Sequence, residues 1–345
     1  MTTPIVIWGA GAIGGTIGAH LARAGHDVLF VDRVAEHVAA IAAGRLVIDG
    51  PVSEFTIGAP AVTPEALEGQ FALILLAVKA QHTAEATRML APHLAATGAV
   101  VSCQNGLNEP DIAAIVGRER TIGAFVNFGA DWIEPGHITF GGRGAVVVGE
   151  LDGAKTERVQ KLHAVLRDFE PDAVLTDNIF GYLWSKLAYG TILKAQALTN
   201  DTIGGFIADP SMRPLITTLV REVLQVAVAE KVRPMAFQAF DPAPFLRDDR
   251  AGMHASLDGI VESRKNSAKV RSGIWRDLAV RHRPTEVRHQ LAPVIAAAHR
   301  HGLAVPSLEA VVALVGEVET GKSRIGEGLI ERLMAAASAS PVAPR

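Results

Sequence analysis

Two lysines and an amide stand at positions from which proton and hydride chemistry can be run. Val78-Lys79 and Gln104-Asn105-Gly106 each follow a continuous apolar run, and Lys186 lies in a helical pattern beside Trp184, Leu187 and Ala188. A lysine in an apolar setting has its pKa pulled down by desolvation, toward a value useful to a proton donor. Polar groups at the ends of buried parallel strands lie at the carboxyl edge of the sheet, where open α/β folds bind ligands. Each residue also has a plain reading. Lys186 fits a lysine snorkelling off an apolar helix face, Lys79 a charge at a strand end, and Asn105 the first half of an Asn-Gly turn.

A second pattern supplies what such groups would act upon. Gly9-Ala10-Gly11-Ala12-Ile13-Gly14 follows an apolar run, opens a helical pattern, and is trailed by Asp32 eighteen positions after Gly14. That context is the dinucleotide fingerprint. The first glycine permits the tight turn, the second lets backbone approach a pyrophosphate, and the third allows close helix–strand packing; the phosphates sit on the helix N-terminus. The candidate cofactor-binding set is therefore Gly9, Ala10, Gly11, Ala12, Ile13, Gly14, Asp32 and Arg33, with Lys79 and Asn105 on the same edge. A carboxylate at Asp32 accepts from ribose hydroxyls and repels a 2′-phosphate, which favours NAD, whereas Arg33 can hold that phosphate, which favours NADP.

These groups need a scaffold, and the periodicities supply one. Residues 4–8, 12–24 and 27–32 read as strand, helix, strand; Phe71–Val78 and Gly98–Cys103 are the continuous apolar runs of parallel strands buried on both faces. Arg120–Phe125, His137–Phe140 and Ala145–Val148 read as strands that close the first domain in antiparallel fashion. From about Asp177 the pattern turns helical, with Ile179–Leu198, Pro214–Glu230 and Thr285–His301 the clearest cases. The expected fold is α/β: a Rossmann-type doubly wound sheet over 1–178, a mostly α-helical substrate and dimerisation domain over 179–334, and a fraying tail over 335–345.

Composition narrows the partners. With 33 Lys and Arg against 36 Asp and Glu, a net charge of −3 offers no global attraction to nucleic acid or to an anionic membrane. No stretch reaches the roughly 20 apolar residues of a membrane span, and the N-terminus lacks the pattern of a signal peptide. The one cysteine, Cys103, cannot form an internal disulfide, and no His/Cys cluster suggests a metal. A cytoplasmic protein acting on a small molecule is expected, with no nucleic-acid or membrane partner.

One motif misleads. Gly316-Glu317-Val318-Glu319-Thr320-Gly321-Lys322-Ser323 matches the phosphate-loop pattern of nucleotide triphosphatases. Too little chain follows it to complete a sheet, and two glutamates would face a phosphate. Pro306-Ser307 with Leu308, Val311, Val312 and Val315 at helical spacing reads instead as a helix ending near Gly321.

Taken in order, the glycine loop, Ala77-Val78-Lys79-Ala80, Gln104-Asn105-Gly106-Leu107, Trp184-Ser185-Lys186-Leu187-Ala188, Thr285-Glu286-Val287 and Gly302-Leu303-Ala304-Val305-Pro306 resemble the ketopantoate reductase (2-dehydropantoate 2-reductase-like) family over nearly the whole chain. The resemblance implies hydride transfer between a nicotinamide and a 2-oxo acid. It implies that Lys186 protonates the developing alkoxide, that Glu286 hydrogen-bonds a substrate hydroxyl, and that Asn105 positions nicotinamide and substrate. It places Lys79 on the cofactor side, Ser272 near the substrate carboxylate and Arg33 at the 2′-phosphate, and it makes a homodimer the expected assembly.

The sequence also departs from the family. Where the lysine-bearing helix of the ketopantoate reductases carries asparagines four and eight positions on, this chain has Gly190 and Lys194. Loss of two amides and gain of a cation point to a more anionic or bulkier substrate, with Lys194 a substrate-binding candidate. Residues 272–286, with Arg276, Arg281, His282 and Arg283, are unusually basic and read most simply as a solvated face. A β-hydroxyacid or opine-type dehydrogenase and a non-catalytic redox sensor remain alternatives.

Overall fold

The computed structural model describes residues 3–265 and 270–342. The chain divides into two compact units, Met1–Ile179 and Phe180–Arg345.

The first unit contains strands β1 (Ile5–Trp8), β2 (Val28–Val31), β3 (Leu46–Asp49), β4 (Phe55–Ile57), β5 (Ala61–Val62), β6 (Phe71–Leu76), β7 (Leu94–Ser102), β8 (Thr121–Val126), β9 (Gly129–Glu134), β10 (His137–Gly142), β11 (Val146–Glu150) and β12 (Val174–Leu175). Its helices are α1 (Ala12–Arg23), α2 (Ala35–Ala42), α3 (Thr83–Leu90), α4 (Glu109–Val116) and α5 (Glu157–Phe169). Eight strands form one sheet in the order β12-β11-β8-β7-β6-β1-β2-β5. It is parallel from β8 to β5, while β11 runs antiparallel to β8.

The continuous apolar runs follow from burial on both faces. Val6, Trp8, Ile74 and Leu76 enter a core closed by Ala86, Leu90, Ile112 and Val116 of α3 and α4. Their neighbours Ile7, Leu75 and Val101 face the opposite core, with Ile17 and Leu21 of α1 and Val159, Leu162 and Leu166 of α5.

A second, smaller sheet, β4-β3-β10-β9, lies against α1. The strand read at 137–140 is β10 of this second sheet, pairing antiparallel with β9 and parallel with β3. Helix α1 is thus packed from two sides, and its glycines allow the approach. A Cβ at Gly14 would collide with the Gly9 carbonyl oxygen, one at Gly15 with the Ile138 side chain, and one at Gly18 would stand 2.5 Å from the Phe30 ring.

The second unit is helical: α6 (Ile179–Gln196, whose first residue falls in the first unit), α7 (Ile203–Ala208), α8 (Arg213–Ala229), α9 (Ala243–Arg247), α10 (Arg250–Arg264), α11 (Gly273–Ala279), α12 (Val287–Arg300), α13 (Pro306–Glu319) and α14 (Leu329–Ser338). Buried Glu222 of α8 accepts hydrogen bonds from Ser307 N (3.1 Å) and Leu308 N (3.0 Å), so a carboxylate borrowed from another helix satisfies the start of α13. The segment expected to fray is packed instead up to residue 342: α14 runs to Ser338, and Ala337 and Val342 are buried apolar anchors. Residues 343–345 lie outside the described residues. No described helix is long and apolar enough to cross a membrane.

Candidate functional site

The parallel order β1, β6, β7 places three of the expected groups on one edge of the large sheet. Gly9 follows β1, Lys79 follows β6 and Asn105 follows β7, each a few residues past the strand's carboxyl end. Gly9 has φ +98, a conformation other residues rarely adopt, and a Cβ there would lie 2.9 Å from Val78 N. Gly11 caps α1, a Cβ there would meet nothing within 4 Å, and no acidic residue stands in the first turn. An open approach to a helix N-terminus free of carboxylates fits the pyrophosphate of a dinucleotide.

The loop that presents these groups is clamped through one residue. Asp32 accepts from Ala10 N at 2.8 Å and from Val34 N at 2.9 Å, one bond to each carboxylate oxygen. The carbonyl of Ala10 accepts from His37 Nε2 at 2.8 Å, while His37 Nδ1 accepts from Gly136 N at 2.9 Å. Because a backbone N–H can only donate, Nδ1 carries no proton and Nε2 carries it; the ring is neutral and its tautomer is set. His37, 1 % exposed, thereby ties the glycine loop to the β9–β10 turn of the second sheet. Arg33 is exposed.

A second clamp joins the Lys79 and Asn105 loops. Buried Gln104 donates from Nε2 to Val78 O (2.8 Å) and to Thr83 Oγ1 (2.8 Å). Thr83 Oγ1 lies within donating distance of Ala80 O (2.8 Å) and Asn108 Oδ1 (3.1 Å), and Asn108 Nδ2 donates to Asn105 O at 2.9 Å. Asn105 and Lys79 are both half-buried. Directly after Asn108, Glu109 is wholly buried; loss of hydration pushes its carboxyl up to about 7, only partly opposed by nearby backbone and the Ser102 hydroxyl.

In the second unit the candidate residues Lys186 and Lys194 lie on α6. From Gly181 to Gln196 every residue is buried except Tyr182, Lys186, Gly190 and Leu193, a single stripe at helical spacing. Lys186 therefore stands on the one partly exposed face of an otherwise buried helix. Lys194 is 2 % exposed, and a Cβ at Gly190 would be 3.1 Å from its Nζ, so the ammonium lies over the glycine one turn back. Burial lowers its pKa to about 8, against the field of Glu286, which raises it.

Glu286 is the N-cap residue of α12 but its side chain does not cap that helix. Its backbone is held from behind: Glu319 Oε1 accepts from Thr285 N (2.7 Å) and Thr285 Oγ1 (2.6 Å). The phosphate-loop look-alike thus has another use. Glu319 fixes the Thr285-Glu286 turn, and Glu317 accepts two bonds from Arg332, as expected of a helix end and not of a phosphate cradle. Ser272 is 3 % exposed and its Oγ accepts from Trp275 N at 3.1 Å, so it caps α11. Arg281 and Arg283 of the basic stretch pair with Asp277 at 3.2 and 2.9 Å. No group of three or more metal-ligating side chains occurs among the described residues.

Several functional positions carried no signal in the sequence. His37 and Glu319 act across 99 and 34 residues, and nothing in a helical histidine or a helix-end glutamate announces that. Gln104 was legible only as part of a motif, and Asn108, three residues after Asn105, drew no reading.

Comparison with known proteins agrees with this geometry. Residues 5–153 match the family model described as ketopantoate reductase PanE/ApbA, and residues 178–319 match that of its C-terminal part. A 2-dehydropantoate 2-reductase from Pyrococcus horikoshii is 27% identical over 279 residues, 79% of this chain and 84% of the relative. One from Mesorhizobium japonicum is 31% identical over 254 residues, 66% of this chain and 77% of the relative. Among solved structures, a PanE/ApbA family ketopantoate reductase from Ralstonia eutropha JMP134 superposes with TM-score 0.78 at 26% identity, covering 93% of this chain and 99% of that one. D-mandelate dehydrogenase with NADH and anilino(oxo)acetate shares the fold, with TM-score 0.80 at 23% identity over 92% of this chain and 99% of that one. The Rossmann-type sheet, the helical second unit and matches over both together place this chain in the ketopantoate reductase PanE/ApbA family of oxidoreductases.

Proposed function

We propose that this protein is an NAD(P)H-dependent reductase of the 2-dehydropantoate 2-reductase type, moving hydride between the nicotinamide and a small 2-oxo or 2-hydroxy acid. The observation that carries this reading is the α6 stripe: a helix enclosed on every other face leaves Lys186 where a substrate can meet it. When bound, the dinucleotide supplies the hydride.

The chain's own residues supply the rest. The first turn of α1 and Gly9, Gly11 and Gly14 hold the pyrophosphate, with Ala10, Ala12 and Ile13 in the same loop. Lys79 and Asn105, locked by the Gln104–Thr83–Asn108 network, line the nicotinamide side. Lys186 gives its proton to the oxygen of the reduced carbonyl, and takes it back in the reverse direction; such a donor contributes typically ~10²–10⁴ in rate. Glu286 accepts a hydrogen bond from a substrate hydroxyl. Ser272, with its oxygen already accepting from Trp275 N, serves the substrate carboxylate through its hydroxyl hydrogen.

Asp32 and Arg33 pull the cofactor choice in opposite directions. The carboxylate, though engaged with Ala10 N and Val34 N, still opposes a 2′-phosphate, and exposed Arg33 attracts one. Paired kcat/KM values for NADH and NADPH decide between them. We take the working form to be a cytoplasmic homodimer, which light scattering of the purified protein tests for assembly.

The experiment for the whole reading is a panel of 2-oxo and 2-hydroxy acids assayed at 340 nm with both nicotinamide pairs. Substrate-dependent absorbance change supports it. Cofactor binding without turnover of any member replaces it with the sensor reading.

A further inference from the structure

A buried ammonium demands acceptors. Lys carries three donors and no acceptor, and an ammonium removed from water without hydrogen-bonded partners is strongly disfavoured. Lys194 is 2 % exposed, desolvation is the largest influence on its ammonium, and Glu286 acts on it as an opposing field. Two features show that this placement is built. The side chain leans back along α6, as helical lysines do, and the residue beneath its tip is Gly190, where any Cβ would crowd the Nζ at 3.1 Å. Gly190 also belongs to the half-exposed stripe that carries Lys186. The glycine and the lysine are thus one device: the first makes room for the second, and together they set a cation beside the accessible face.

We propose that Lys194, seated over Gly190, binds an acidic group on the far end of the substrate, so that the enzyme prefers 2-oxo acids with an anionic tail to those with a neutral one. This inference rests on the reductase reading above and adds the substrate class to it. Four residues of α-helix separate Lys186 from Gly190, a rise of about 6 Å, within the reach of a short carbon chain. With the carbonyl oxygen of the substrate at Lys186, a second carboxylate on such a chain arrives at the Lys194 ammonium. It supplies acceptors to an ammonium that burial has largely removed from water. The field of Glu286 opposes the loss of the Lys194 proton that burial favours.

The test compares 2-oxoglutarate, which has an acidic tail, with 2-oxoisovalerate and ketopantoate, which have neutral ones, for the full-length enzyme, Lys194→Met and Gly190→Ala. A charge-assisted hydrogen bond lost from a desolvated site lowers relative kcat/KM by roughly 10- to 100-fold. The expected result is a wild-type preference for 2-oxoglutarate that falls by that factor in Lys194→Met, and also falls in Gly190→Ala although the lysine is retained. A thermal shift induced by 2-oxoglutarate in the wild type, and reduced in Lys194→Met, reads the same contact without turnover. If the enzyme reduces the neutral-tailed acids at least as well, or if the ratio is unmoved by Lys194→Met, this inference is overturned while the reductase reading stands. If no 2-oxo acid of either kind is reduced, the reductase reading itself fails and this inference with it.

Discussion

Replacing Lys194 by methionine should make the protein more stable, and the size of the gain follows from the structure. Burial lowers the lysine's pKa from 10.5 to about 8, which corresponds to about 3 kcal/mol spent at neutral pH on keeping a proton in a desolvated place. Methionine fills nearly the same volume and carries no charge, so that cost disappears; the half-exposed Glu286 loses a favourable neighbour, worth well under 1 kcal/mol for a water-facing group. The sign with pH is fixed. The folded pKa lies below the unfolded one, so between about pH 8 and 10.5 the unfolded chain binds the additional proton and wild-type stability rises with pH; below pH 8 the full cost is present. Lys194→Met should therefore melt higher at pH 7 by on the order of 5–10 °C, and the gap to wild type should close as pH rises through that window. Thermal and urea unfolding across pH 7–10.5 read both. A variant no more stable than wild type at pH 7, or a gap that does not narrow, would refute the claim that desolvation of this ammonium costs the fold stability. A residue whose removal stabilises the fold is retained for some other reason, and the substrate contact is that reason.

Further outcomes follow from the two clamps and the buried carboxyl. Glu109, pushed up to about 7, binds its proton more tightly folded than unfolded, so wild-type stability falls as pH rises from 4.5 to 7. Glu109→Gln should match wild type at pH 4 and exceed it by up to about 3 kcal/mol at pH 8 in urea melts; a parallel pair of curves would contradict this. Asp32→Ala removes the bonds to Ala10 N and Val34 N along with the charge, so it should raise KM for both NADH and NADPH while favouring NADPH in the ratio. A changed ratio with neither KM raised would show that Asp32 does not hold the loop. Glu319→Ala frees the Thr285 turn and should raise substrate KM roughly 10-fold with little effect on nicotinamide affinity. Glu319→Gln, which keeps an acceptor, should recover most of that loss.

Much of this architecture is legible in the sequence because it is local. The glycine loop, the continuous apolar strands and the long helices each follow from a pattern within a few residues, and their order fixes which strand ends share an edge. The second sheet escapes such reading. β3 and β4 are short and partly exposed, and β3 pairs with β10 across about half of the first unit, so no local periodicity reports it. The same distance hides His37, which looks like any polar residue of α2 until Gly136 is brought to it. Lys194 was legible as a substrate-binding candidate but its burial was not, because lysine is read as a surface residue by default; its Nζ lies close over Gly190, where a Cβ would stand 3.1 Å away. The closing segment looked featureless because small residues carry little pattern, although Ala337 and Val342 are enough to anchor it.

Everything proposed for catalysis turns on the Lys186 ammonium, which supplies the proton that accompanies hydride transfer. The most direct measurement is Lys186→Met assayed for kcat with the best 2-oxo acid of the panel, beside its affinity for NAD(P)H by fluorescence titration. In that variant kcat should fall by roughly 10²–10⁴ while cofactor affinity stays close to wild type, because the lost interaction forms only as charge develops on the substrate oxygen. An unchanged kcat in a folded, cofactor-binding variant would contradict it.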